Sequence, residues 1–171
     1  ALGLPDLYDT DYSSTGAGKL ALMASGSWGT SGNSPWYPAT MIGWCKNRLG
    51  WVNVVEITDD TDLISLQQSY SNNTIIRVNH SQVSEEYWLI ENRQKIGFDY
   101  YLNGDGLLFY HIDENRSYGA NAWSGGPVNN DELHKLVDIE EADRLNDLDN
   151  QINRGDSGDP FPGQSDNRTF N

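Results

Sequence analysis

Residues 106–112 read Gly-Leu-Leu-Phe-Tyr-His-Ile, and within them Leu107-Leu108-Phe109-Tyr110 is apolar on both faces of an extended chain. A short two-faced apolar run of this kind predicts a central strand, covered on both sides. Outward from it, residues 51–57, 63–69, 74–79, 86–91 and 134–141 form further short runs rich in β-branched and aromatic side chains. Six strands are therefore expected. The links between them are mostly short and polar, and no long helical crossover separates them, so the sheet is expected to be mostly antiparallel.

Towards the N-terminus, Pro38 is followed by Met41, Ile42, Cys45 and Leu49, then by Gly50. This apolar stripe, with Lys46 and Arg48 near its end, predicts a helix over 38–49. Cys45 lies on the stripe and reads as a small packing residue. Residues 1–35 are punctuated by Gly and Pro and read as loop, while residues 36–171 hold the helix and the β-rich remainder of the same domain. The fold class is α+β, with long loops. A long Gly-rich start stripped of its packing partners keeps little to offset its ordering entropy, so Gly3–Tyr8 and Leu22–Trp28 are expected to be mobile or held by another molecule, and residues 1–35 to exchange amide hydrogens faster than the strands.

The 171 residues carry 11 basic and 25 acidic side chains, a formal charge of −14. That balance repels a phosphate backbone and argues against nucleic acid as a partner. No apolar run is long enough for a membrane span. With one cysteine there is no internal disulfide framework, and no Cys/His cluster has the spacing of a structural zinc site. The abundance of Trp, Tyr, Gly, Asn and Ser leans towards a loop-rich extracellular β protein.

The chemistry lies in Ala1-Leu2-Gly3-Leu4-Pro5-Asp6-Leu7-Tyr8-Asp9. By itself, Asp6 fits a Pro-Asp turn better than a metal ligand. The string resembles the segment that follows the HExxH helix in the immune inhibitor A family of secreted zinc metallopeptidases, whose metzincin-like pattern is HExxHxxGxxH/D. The resemblance implies that Gly3 is the helix breaker and Asp6 the third zinc ligand. Leu22-Met23-Ala24-Ser25-Gly26-Ser27-Trp28 is similar to the Met-turn of these enzymes, with Met23 as support beneath the ligands. Trp44, Leu49-Gly50-Trp51, Tyr87–Gln94, Gly106–Asp113, Glu140–Asp143 and Gly155–Phe161 extend the resemblance in family order.

What the resemblance implies is zinc-dependent hydrolysis of peptide bonds in extracellular proteins by a secreted, bacterial parent enzyme. The departure is that the chain has no HExxH; His80, His111 and His134 are far apart in sequence. It reads as the C-terminal part of a catalytic domain, without catalytic residues of its own. It is expected to be inactive until joined by the N-terminal part that carries the helix. His111 reads as a structural strand histidine, and Glu91 with Arg93 as an ion pair near the end of the sheet. In the tail, Asp143, Asp147, Asp156 and Asp159 supply oxygen ligands suited to calcium, with a solvated acidic surface as the alternative. The rival reading of the whole chain is a non-enzymatic secreted module that binds calcium or another ligand.

Overall fold

A computed structural model describes residues 2–30, 35–58, 64–116 and 128–170. Its centre is a five-stranded sheet in the order β1 (Asn53–Ile57), β2 (Thr74–Asn79), β3 (Glu86–Arg93), β4 (Gly106–Asp113) and β5 (Val137–Glu140). The β2–β3, β3–β4 and β4–β5 pairs are antiparallel, as the short links require. The face of β4 opposite Leu108 and Tyr110 is covered by the tail, where the Phe109 ring meets Phe161 at 4.8 Å and stacks on Phe170 at 4.6 Å, which accounts for the two-faced run at Leu107–Tyr110.

Alternation along β3 turns Tyr87, Leu89, Glu91 and Arg93 to one buried face. Leu108, Tyr110 and Ile112 of β4 and Val137 and Ile139 of β5 extend that face. Onto it pack the short helix α1 (Gly43–Arg48) and the loop-rich N-terminal segment. Leu7, Ala17, Leu20, Ala21 and Ala24 all belong to the common core, with Leu7 at 0% exposure. Burying a leucine of this kind contributes about 1.5–3 kcal/mol. The expectation of a poorly packed start is therefore reversed over residues 2–30: small residues let loop backbone approach closely enough to bond, as in Ala17 N to Leu7 O at 2.9 Å. Residues 31–34 lie outside the described residues.

Two other expectations need correction, and a third needs a qualification. The helix is shorter than 38–49, because the backbone of 39–43 is already committed elsewhere. Ala39 N donates to Gly26 O, Thr40 O accepts from Leu22 N, and Thr40 N donates to the Asp99 carboxylate. These tertiary bonds compete with the helical ones, and Ile42 stays extended at φ −72°, ψ 162°. Residues 64–69 form no strand; residue 63 is outside the described set. Ser69 N instead reaches Asn92 O at 2.8 Å, and Asn92 Nδ2 reaches Leu66 O at 2.8 Å. They cap the β3 edge that lies beyond its pairing with β2, which begins at Ile76–Ile90. Finally, the sheet is mostly antiparallel as expected, but not wholly so, because β1 and β2 pair in parallel.

Candidate functional site

The candidate third-ligand segment begins with Leu2 at φ 56° and Gly3 at φ 75°. A glycine meets this left-handed geometry without the side-chain penalty, so the chain turns sharply where the resemblance requires a helix to break. Leu4 and Leu7 then anchor in the core, and alternation leaves Asp6 exposed between them. Asp6 Oδ2 accepts a hydrogen bond from Tyr8 Oη at 3.0 Å. That bond, and the carboxylate charge behind it, raise the Tyr8 phenol above its ordinary value.

Leu7 N donates to Met23 O at 2.8 Å, which sets the Asp6 segment directly against the methionine turn. The turn is closed by Ala24 N and Gly26 N on Ala21 O, each at 3.1 Å. A Cβ on Gly26 would lie 2.5 Å from Ala21 O, so the tight turn needs glycine there. Met23 is partly buried and packs against the core.

Fully buried Arg93 braces the chain that leads into the turn. Its Nη1 donates to Leu20 O at 3.2 Å; its Nε and Nη2 donate to the two oxygens of Asp99, each at 2.7 Å. Asp99 in turn accepts from Thr40 N at 3.0 Å and Thr40 Oγ1 at 2.8 Å. Burial opposes ionisation of Asp99, but the Arg93 charge and the Thr40 bonds outweigh it and hold the carboxyl below its ordinary value. Glu91 lies 3.9 Å from Arg93, pairs with Lys46, and accepts from Gly43 N and Tyr110 Oη. The expected Glu91–Arg93 pair thus exists, but in the core rather than at the margin of the sheet.

The histidines have separate polar partners, although His80 and His111 both pack against the Trp88 ring, at 5.6 and 5.5 Å. His111 Nε2 lies 3.3 Å from Glu86 Oε2, His134 lies 3.9 Å from Asp113, and His80 Nδ1 accepts from Val83 N. His111 and Asp113 therefore have separate partners. Cys45 is fully buried, and burial together with the nearby Glu91 pushes its thiol up to about 12, which suits a packing residue.

Of the four tail aspartates, Asp143 and Asp159 come together with Glu141, their ligand atoms within 4.8 Å of one another. Asp147 and Asp156 instead share the amide of Asn153, at 2.9 and 2.8 Å. A second acidic group joins Asp9, Asp11 and Glu132. Neither Glu141 nor Glu132 was a sequence candidate. Asp9 and Asp11 sit at a spacing that could have signalled a cluster, whereas Glu132 arrives only through the fold. Asp6 belongs to neither group.

A cavity of about 450 Å³ opens between Tyr8, Tyr12, the turn from Ala24 to Trp28, and the tail at Gln151–Arg154; Asp6 does not line it but is bonded to Tyr8, which does. No curated protein and no solved structure matches the chain. The family match ends at residue 52, short of the strand strings. Within it lie Gly3, Asp6 and Met23: residues 1–52 of this chain match the family model described as immune inhibitor A peptidase M6, catalytic domain.

Proposed function

We propose that this chain supplies the third-ligand segment and the Met-turn of a secreted, metzincin-like zinc endopeptidase acting on extracellular proteins. The observation that carries the reading is the Leu7 N to Met23 O hydrogen bond, which joins the segment bearing Asp6 to the methionine turn. An exposed aspartate three residues past a left-handed glycine is a donor of the right chemistry and in an accessible position. It is one ligand of the three a catalytic zinc takes from protein, and the 171 residues hold no HExxH to supply the others. When bound, zinc would contribute Lewis-acid polarisation of the scissile carbonyl. The chain's own part is to present the Asp6 carboxylate, oriented by Tyr8 Oη, and to keep Met23 under it. Residues 24–40 would wall the primed side of the substrate.

The codons upstream of Ala1 test this directly. They are expected to encode His-Glu-x-x-His with the second histidine immediately before Ala1; any other sequence there removes the reading. In the protein so defined, Asp6→Asn is expected to lower both zinc content and casein cleavage by at least about 100-fold, since a ligand is lost. Wild-type zinc stoichiometry and turnover in that variant would show that Asp6 is only a turn residue.

A further inference from the structure

The cavity lined by Tyr8 has one charged group with uncommitted hydrogen bonds. Asp9 lines it, but the Asp9 oxygens are already occupied: Oδ1 accepts from Asp11 N and Tyr12 N, and Oδ2 from Ser13 Oγ and Ser14 N. Arg154 lines it from the opposite chain segment. Its backbone is fixed, because Arg154 O accepts from Lys19 N at 2.7 Å and a Cβ on Gly18 would come within 2.6 Å of that oxygen. Its side chain is solvent-exposed and has no ion pair or hydrogen bond among the described residues. Around it stand the exposed rings of Tyr8, Tyr12 and Trp28.

We propose that this cavity is a substrate subsite that takes an acidic side chain of a peptide, with the Arg154 guanidinium as its specificity-determining group. A guanidinium presents a planar fork of N–H donors that matches a carboxylate bidentately, and the flanking rings offer apolar surface to the methylenes of the side chain. Most of the overall charge of −14 is screened beyond about 8 Å at physiological salt, and the Asp9 carboxylate in the same cavity is already met by four hydrogen-bond donors, whereas the Arg154 guanidinium keeps its own donors for a ligand. Tyr8 ties the subsite to the candidate metal ligand: it lines the cavity and donates to Asp6 Oδ2. Arg154 lies outside the family-matched residues 1–52, so the preference would belong to this chain and not to the matched segment. The word substrate rests on the peptidase reading; the carboxylate site does not.

The test is an NMR titration of the labelled 171-residue chain with N-acetyl-aspartyl-methylamide, N-acetyl-leucyl-methylamide and sodium acetate at constant ionic strength. Arg154 Nε–H and the Trp28 indole N–H are read out. Saturating shifts at both positions are expected with the aspartyl compound only. Arg154→Gln should weaken its affinity by about tenfold or more, and Arg154→Lys by less. Both substitutions fall on an exposed residue, and the remaining spectrum reports whether the fold is retained. An equal response to the leucyl compound would show an apolar pocket and overturn the proposal. So would an equal response to acetate, which would mean that charge alone is sensed, or no shift at Arg154. Because no metal enters this experiment, its failure leaves the reading of Asp6 intact. Failure of the Asp6→Asn test, conversely, leaves the carboxylate site standing.

Discussion

Gly16 sits at φ 55°, and a Cβ there would lie 2.4 Å from Leu7 O and 2.9 Å from Asp9 N, both backbone atoms that cannot swing aside. Gly50 has a similar φ of 69° but open space around it. The left-handed conformation alone costs a non-glycine residue about 1–2 kcal/mol. Gly50→Ala is expected to lose that much in urea unfolding, and Gly16→Ala at least about 2 kcal/mol more from the clash. Equal losses would show that the Leu7–Gly16 approach is looser than described. Gly16→Ala should also disturb the Asp6 segment, since Leu7 O and Leu7 N hold it to Ala17 and Met23. At this scale part of the candidate site was legible. Gly3 and Asp6 stand at a fixed short spacing that a chain reports by itself. Glu132 and Glu141 were not legible, because what makes each a cluster member is a partner brought in by the fold: Asp9 and Asp11 for one, Asp159 for the other.

Strands β3 and β4 follow from the short aromatic and apolar runs Tyr87–Ile90 and Leu107–Tyr110, a signal that depends only on nearest neighbours in sequence. Residues 38–42 do not, because their apolar spacing fits a helix while their backbone bonds go to Gly26, Leu22 and Asp99. Local pattern loses there to a buried charge network, and Asp99 lies too far along the chain for periodicity to register it. The same network makes an element-level prediction. Thr40→Val removes one hydroxyl bond to Asp99 and is expected to cost about 1 kcal/mol. Arg93→Leu leaves Asp99 buried without its countercharge and frees Leu20 O, so a loss of about 3–5 kcal/mol is expected. Differential scanning calorimetry on the two variants distinguishes them. A small loss for Arg93→Leu would mean that apolar packing alone holds the methionine turn. Hydrogen exchange offers a parallel check: the amides of Leu7, Ala17 and Gly26 should be protected as bonded interior groups.

Acidity shapes the behaviour of the whole molecule, because several of its carboxylates are buried near β5 and the tail. Burial first, and then the charges of Glu141, Asp156 and Asp143, push the Asp159 carboxyl up to about 7 despite the bond it accepts from Asp156 N. Burial is also the leading cause that raises Asp138, Glu140 and Glu141. In the folded chain these groups keep protons that the unfolded chain releases around the ordinary carboxyl values, 3.8 for aspartate and 4.5 for glutamate. Folding stability must therefore fall as pH rises through the window from about 4 to about 7. Asp9 behaves in the opposite way. Burial works against its ionisation, but the backbone bonds from Ser14 and Asp11 prevail and bring it to about 2, so its contribution is present above the ordinary range and is lost as pH falls towards 2. The two trends place the stability maximum in mildly acidic solution, and the formal charge of −14 at pH 7 adds self-repulsion on the neutral side. Melting temperature is expected to be higher at pH 5 than at pH 7.5 by about 5 °C or more, a size that a few kcal/mol gives in a domain of this length. Asp159→Asn, which is neutral at both values, should shrink that difference while leaving the loss below pH 4 in place; Asp9→Asn should do the reverse. A melting temperature that holds steady or rises from pH 5 to pH 7.5, or an unchanged difference in Asp159→Asn, would show that the tail carboxylates are charged in the folded chain at little cost.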